Sequence, residues 1–482
     1  MREIKVFNTM TRSKETFVPV TPGEVKMYVC GVTPYNHPHI GNARPFVTWD
    51  VVCRFLRHTG YRVNLVQNFT DVDDKIINSS NGEGIAWNVL ADRYIDAYFE
   101  VMDALHVQRA DIYPRVSDHI EDIIAMISTL IEKGHAYELD GDVYYKVESF
   151  ERYGALSGRT LEDMEAGARV EVDDRKENPM DFALWKRVKP EEPSWPSPWG
   201  DGRPGWHIEC SAMSQRYLGE EFDFHGGGSD LIFPHHENEI AQSEGCTGHH
   251  PAVRYWLHNG FVTINQEKMS KSLNNFFLVR DILAEYSPDA LRYFLLSTHY
   301  RSPLDFSDER LDEANRSLER ISTAIENLLY LEKFEEGICD EATAALLKNA
   351  EALQEEYESA MCDDFNTALA GSAIFGLAKE INIYYQTVQN GNGTVCRETL
   401  GKIKDIFKFM TDVLGILEDV WNGSPDAAGA AEFDALMQVI IEVRREIREA
   451  KNWAAADSIR NRLAEIGIVI EDSPQGTRWK RS

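Results

Sequence analysis

The chain has no Cys-x-x-Cys pair, and its seven cysteines are odd in number and dispersed: Cys30, Cys53, Cys210, Cys246, Cys339, Cys362 and Cys396. The compact zinc-ribbon and thioredoxin-like arrangements are therefore excluded, and no disulfide framework is expected; buried thiols are the ordinary reading. No window approaches the ~20 consecutive apolar residues that cross a bilayer. The N-terminal Met-Arg-Glu-Ile-Lys-Val-Phe carries no apolar leader. Positive charge is short as well, with 50 Lys and Arg against 79 Asp and Glu, a net charge of −29. Such a balance disfavours indiscriminate nucleic-acid binding. Internal repeats and low-complexity tracts are also lacking. These absences leave a globular chain expected in the cytoplasm, with no membrane partner.

What is present is ordinary in bulk: 482 residues, 43% hydrophobic and 27% charged, enough for about three or four domains. The acidity is uneven. Residues 308–364 hold 17 acidic and 5 basic side chains, whereas residues 441–482 hold 9 basic and 7 acidic. A basic tail on an acidic protein permits a specific nucleic-acid contact, although a solvated helix face of mixed charge has the same composition.

Val25 to Val29 reads as a strand, followed by a loop rich in Gly, Pro, Asn and His. Phe46, Val47, Val51, Val52, Phe55 and Leu56 then recur at helical spacing up to Gly60, a suitable C-terminal cap. Residues 61–68 return to strand character. Strand, loop, helix, strand opens a parallel α/β domain, and ligands in such folds sit at the carboxyl ends of strands. Residues 85–135 read as helical. Residues 136–200, with Val143 to Val147 and the stretch Pro193 to Gly200, break the rhythm and read as an insertion. From 308 to about 420 the pattern is helical, for example Leu318, Ile321, Ile325, Leu328 and Leu329. Asn422 to Gly429 reads as a linker; beyond it come a long helix, a shorter one, and a hairpin turning at Ser473 to Gly476.

Two segments carry chemistry. The loop Cys30 to Arg44 leads a strand into a helix N-terminus, whose free N–H groups and dipole suit phosphate. In it, Gly41 lets a flat ligand approach the backbone and His39 can donate to a phosphoryl oxygen. The second segment, Lys268-Met-Ser-Lys271-Ser272, sets two lysines three apart among hydroxyls, a polydentate grip for an anion.

His39-Ile-Gly-Asn42 resembles the HIGH signature, and Lys268 to Ser272 the KMSKS signature, of class I aminoacyl-tRNA synthetases. The stretches Asn68 to Lys75, Phe224 to Glu239, Ser287 to Phe294 and Gly467 to Trp479 resemble the cysteinyl-tRNA synthetase family, and the likeness runs from about residue 3 to residue 481. Asn42 stands where the generic signature has its second His; its amide can donate but cannot become a cation.

The resemblance implies an α/β chain with a Rossmann-type parallel-sheet catalytic domain over 1–248, carrying an insertion at about 113–200. It further implies a connecting domain at 249–307 bearing the lysine motif, a helical bundle at 308–421 that contacts the tRNA stem, and a small α+β anticodon-binding domain at 430–482. It implies a cysteine–tRNA ligase that activates L-cysteine with ATP and passes it to tRNA(Cys), acting as a monomer. Mg2+ accompanies ATP, and one Zn2+ per chain is held by Cys30, Cys210, His235 and Glu239. Spacing alone would not find that set, and His236 competes locally with His235, lying three residues from Glu239. His39, Lys268 and Lys271 take catalytic roles; Gly41, Asn42, Asp230 and Lys271 bind ATP; Trp206 and His225 line the amino-acid pocket. In the tail, Trp453, Arg460, Arg462, Arg478 and Trp479 mix cations with aromatics, a pairing that holds RNA, though each also suits helix-surface or hairpin packing. Two other readings remain open: a mycothiol-type ligase joining cysteine to an amino sugar, which should lack the tail, and a non-catalytic RNA-binding paralogue.

Overall fold

The computed structural model describes residues 2–160, 175–264, 267–268, 277–422, 427–473 and 476–481. The chain forms two compact units, Met1–Asn315 with Ser359–Leu369, and Arg316–Glu358 with Ala370–Ser482.

The first unit is built on a parallel sheet in the order Val253–Asn259, Phe222–Gly228, Glu24–Val32, Arg62–Phe69. Strands covered on both faces need near-continuous apolar runs, and the buried Val25, Met27, Tyr28 and Val29 supply one. The helix Ile40–His58 crosses from Glu24–Val32 to Arg62–Phe69, and Glu237–Thr247 crosses from Phe222–Gly228 to Val253–Asn259. The two connections leave in opposite directions, so a crevice opens where Glu24–Val32 and Phe222–Gly228 end, the place where such sheets bind ligands. Thr59 caps the first helix and Gly60 follows with φ +96°, a left-handed position that glycine takes without strain.

The helical stretch expected over 85–135 is two helices, Trp87–Ala104 and Ile120–Glu132. Between them, Asp111 and Ile112 turn aside to donate their N–H groups to Leu65 O, at 3.0 and 3.2 Å. The insertion has its own sheet, an antiparallel run of Ala136–Leu139, Asp142–Tyr145, Phe182–Arg187 and Gly202–Pro204 in that order. Its buried Val143, Tyr145, Leu184 and Trp185 join one core cluster with Tyr28 and Val66 of the parallel sheet.

The second unit is helical, with most of Asp308–Leu331, Glu341–Cys362 and Thr367–Gln389, and all of Arg397–Leu414, Ala427–Glu449 and Trp453–Glu465, as its long elements, closed by an antiparallel hairpin of Ile468–Ser473 and Gly476–Arg481. Two expectations are corrected here. Helix resumes already at Ala427, because the run Ala427-Ala-Gly-Ala-Ala is rich in the best helix former. Cys339 and Cys396 are bonded to each other rather than free. A bridge between Glu336 and Val395, with Gly337 N donating to Val395 O at 2.8 Å, brings the two cysteines together across 57 residues.

A candidate active site beside a metal-capable cluster

A cavity of about 320 Å³ occupies the crevice at the carboxyl ends of the two central strands. Cys30, Gly31 and Val32 line it from one strand, Gly227 and Gly228 from the other, and His39, Gly41 and Asn42 from the helix start. Gly31 sits where the register slips between Val29 and Val32; its N–H donates to Asn68 Oδ1 at 2.9 Å, and a Cβ there would lie 1.5 Å from Asn68 O. No other residue fits that approach.

His39 caps the helix Ile40–His58. Its Nδ1 accepts from Asn42 N at 3.2 Å while Asn42 Oδ1 accepts from His39 N at 3.2 Å. Asn42 thus completes a reciprocal capping box, a part that histidine's ring could not fill in the same way. Pro45, inside the helix, has no N–H for the Gly41 carbonyl, and both residues line the cavity. The buried Arg44 ties this helix to the opposite wall, donating to Gly260 O and Phe261 O at 2.8 Å each and to Ser302 O at 2.6 Å.

The described ends of the lysine motif converge on the same place. Lys268 pairs with Thr263 on the strand Val262–Ile264, and Val262 lines the cavity. At the far end, Ile40 N donates to Phe277 O at 3.1 Å and Val279 N to Pro38 O at 3.0 Å. Lys271 lies outside the described residues, as does the side chain of Lys268. Asp230 lines the cavity; a Cβ on Gly228 would lie 2.5 Å from its Oδ1, so glycine clears its position.

Cys30 also belongs to a buried cluster. The donor atoms of Cys30, Cys210, His235 and Glu239 lie within 4.8 Å of one another, and so do those of Cys30, His225, His236 and Glu239. In the first set the sulfurs of Cys30 and Cys210 are 3.9 Å apart, and His235 Nε2 is 3.0 Å from Glu239 Oε1. Two Zn–S bonds of about 2.3 Å at a tetrahedral angle place sulfurs about 3.8 Å apart. Two thiols, an imidazole and a carboxylate in this spacing fit a zinc ion.

The electrostatics agree with a cation site. Burial pushes the Cys30 thiol up, while its hydrogen bond to Cys210 draws that thiol down to about 6. Burial would raise Glu239, yet His225 and His235 outweigh it and hold the carboxyl at about 2. Burial would likewise lower His235, and Glu239 beside it outweighs this and lifts the imidazole to about 10.

Of the remaining expected residues, Trp206 stands at the start of the helix Trp206–Leu218, 42% exposed, its ring 4.5 Å from that of His235. His225 is buried, donating from Nε2 to Glu239 Oε2 at 2.9 Å and stacked on Trp256; like Trp206, it is not among the residues that line the 320 Å³ cavity. The period-two alternation of its strand turns it inward toward the cluster. In the tail, Trp453 is 57% exposed beneath Arg448, Arg460 pairs with Asp457 at 3.2 Å, and Arg462 is exposed. Trp479 packs against a small core of Met437, Leu463, Ile468 and Ile470. The side chain of Arg478 lies outside the described residues. His207 and His258, which also touch the cluster, and Thr9, which touches His258, carried no sequence signal: single polar residues on a helix start, a strand and a turn have no motif around them.

Three family models match the chain: the class I (C) tRNA synthetase catalytic domain over residues 16–316, the DALR domain over 356–418, and the cysteinyl-tRNA ligase anticodon-binding domain over 430–479. Among relatives, the cysteine–tRNA ligase of Pelotomaculum thermopropionicum is 56% identical over 485 residues, covering 99% of this chain and 100% of that one. That of Thermococcus onnurineus is 49% identical over 480 residues, covering 99% of each. Among solved structures, Mycobacterium tuberculosis methionyl-tRNA synthetase with methionyl-adenylate superposes with a TM-score of 0.60 at 17% identity, covering 81% of this chain and 89% of that one. Agrobacterium radiobacter leucyl-tRNA synthetase, in a ternary complex with tRNA, gives 0.60 at 11% identity, covering 84% and 86%. The structural likenesses carry the fold, and the sequence relatives carry more: this chain belongs to the cysteine–tRNA ligase family of class I aminoacyl-tRNA synthetases.

Proposed function

We propose that the chain charges tRNA(Cys) with L-cysteine in two steps. The cysteine carboxylate attacks the α-phosphorus of Mg2+-bound ATP; the bond to the β-phosphate oxygen breaks and pyrophosphate leaves. The 2′-hydroxyl of the terminal adenosine then displaces AMP from the adenylate. The carboxylate is already ionised, so the first step needs no general base. It needs positioning and neutralisation of charge building on the phosphates. His39 and the free N–H groups at the helix start serve one side. Lys268 and Lys271 serve the other; Lys268 pairs with Thr263, and Phe277 and Val279 bond to Ile40 and Pro38 beside the helix start. Gly41, Asn42 and Asp230 hold the nucleotide and Trp206 closes on the amino acid. The bundle at 308–421 braces the tRNA stem, and the tail with Trp453, Arg460, Arg462, Arg478 and Trp479 reads the anticodon. The enzyme works as a monomer in the cytoplasm.

The observation that carries this reading is that Cys30 belongs at once to the metal-capable cluster and to the cavity wall. Cysteine and serine differ by one atom, and an apolar pocket separates near-isosteres by only about 10–200-fold. A zinc ion on Cys30, Cys210, His235 and Glu239 would favour thiolate over hydroxyl, since it bonds sulfur and lowers thiol pKa. With cobalt in place of zinc, cysteine should add a thiolate-to-metal charge-transfer band that serine does not. A spectrum indifferent to cysteine in a protein that still activates it would make the metal structural.

A further inference from the structure

Two overlapping donor sets could each hold an ion; they share Cys30 and Glu239 and differ in the other two members, Cys210 and His235 in one, His225 and His236 in the other. Both rings are buried and both approach Glu239 Oε1, His235 at 3.0 Å and His236 at 3.9 Å. Proximity to the carboxylate therefore favours His235 without excluding the other. With the ion on Cys30, Cys210, His235 and Glu239, as proposed above, the hydrogen bonds behind the two rings give each a different tautomer.

His236 Nε2 lies 3.4 Å from Cys30 Sγ, and its Nδ1 lies 2.7 Å from His258 Nε2. His258 Nδ1 in turn lies 2.8 Å from Thr9 Oγ1. A metal-bound Cys30 is a thiolate and can only accept. His236 must then carry its proton on Nε2, which leaves Nδ1 as an acceptor. His258 must donate from its Nε2, which leaves its own Nδ1 to accept from the Thr9 hydroxyl. With the Cys30 thiolate as the acceptor, one direction of proton placement satisfies every contact, and each ring needs only one proton. His235 is oriented the opposite way: its Nδ1 lies 2.9 Å from His207 Nδ1, so a proton there leaves Nε2 bare toward Cys210 and Glu239. The backbone accommodates the arrangement, because a Cβ on Gly227 would lie 2.8 Å from His236 Cε1 and 3.1 Å from its Nε2.

We propose that Thr9, His258 and His236 form a positioning relay that fixes the His236 tautomer, so that His236 donates to the Cys30 thiolate and is kept from the metal, leaving coordination to His235. The proposal rests on the ligand set given above and not on the identity of the RNA. His236 and His258 touch no substrate; they act through Cys30. Outer partners of this kind are typically worth about 10–100-fold in metal affinity.

The direct test is the tautomer itself, read from long-range nitrogen–proton correlation spectra of the full-length, zinc-loaded protein labelled with [15N]histidine, with each ring assigned by single His→Gln substitution. Protons on Nε2 of both His236 and His258 and on Nδ1 of His235 are expected. A proton on Nδ1 of His236, or a zinc-shifted Nε2 there, overturns the relay. Zinc affinity by chelator competition supplies the second measurement: His258→Phe should weaken binding about 10–100-fold and His258→Gln, whose amide can donate to His236 Nδ1, should restore most of it. A folded His258→Phe protein with unchanged affinity, or equal losses in both variants, also overturns it. If the purified chain takes up no zinc, the ligand set fails and the relay with it, whatever the charging activity.

Discussion

Arg444 grips Asp472 through two hydrogen bonds of 2.8 and 2.9 Å, joining the helix Ala427–Glu449 to the hairpin strand Ile468–Ser473. Its guanidinium is buried, with 4% of the side chain exposed, and the carboxylate is 31% exposed. Removing the carboxylate leaves a buried cation with only the weaker attraction of Asp457. Asp472→Asn should destabilise the terminal helices and hairpin by about 1–3 kcal/mol, less than for a fully buried pair because water reaches one partner. Amide exchange along Ile468–Ser473 in the full-length protein should speed up; unchanged protection would mean that the pair contributes little.

The same contact sets an acid limit. The hydrogen bond from Arg444 holds the Asp472 carboxyl at about 2, below its ordinary 3.8. A group lowered on folding stabilises fully above its unfolded value and loses that contribution as pH falls through the folded one. Protection of the hairpin should therefore decline between about pH 4 and pH 2, and Asp472→Asn should flatten that part of the profile. An identical decline in the variant would assign it to other carboxyls.

Gly31 offers a test of the cavity's backbone. A Cβ at this position would meet Asn68 O at 1.5 Å, so Gly31→Ala must part the two strands where they flank the site. Overpacking of this kind costs about 1–3 kcal/mol or more. Thermal unfolding should show the loss, and pyrophosphate exchange should fall with it. A variant as stable and active as the parent would mean that the strands separate without resistance.

Cys210→Ser should weaken zinc binding by more than the roughly 10–100-fold typical of outer partners, since a thiolate ligand is exchanged for a hydroxyl that stays protonated. Competition with a chelator measures this directly. Retention of zinc at parental affinity would favour the set containing His225 and His236 instead.

Lys271→Ala should slow adenylate formation by about 10²–10³-fold with a smaller effect on ATP affinity, as expected of a charge that serves the transition state. An unchanged rate at saturating ATP would refute the role. Truncation after Asn422, ahead of the helix that begins at Ala427, should spare cysteine-dependent pyrophosphate exchange and impair tRNA charging. Collapse of exchange in a folded truncation would show that the tail supports the catalytic unit.

The sequence by itself determined the features encoded between near neighbours. The strand, helix and strand from Glu24 to Phe69, the helix start at His39, the lysine motif and the terminal hairpin all rest on periodicities and caps spanning a few residues. Those signals survive without knowledge of the rest of the chain, and they were enough to point to the family. The tertiary structure decided what depends on register and crossover. Cys30 and Cys210 meet because the Glu24–Val32 strand lies beside the elements that bury the helix Trp206–Leu218, 180 residues later. The contact of His225 with Glu239 likewise depends on the fold, since the pleat of its strand aims it into the core. Cys339 and Cys396 are joined by a single bridge between loops. Between His235 and His236 the primary structure offers nothing to choose; the folded chain gives them different neighbours, His207 for the one and His258, backed by Thr9, for the other. Hydrogen-bond direction is a property of packed neighbours, and only folding supplies them.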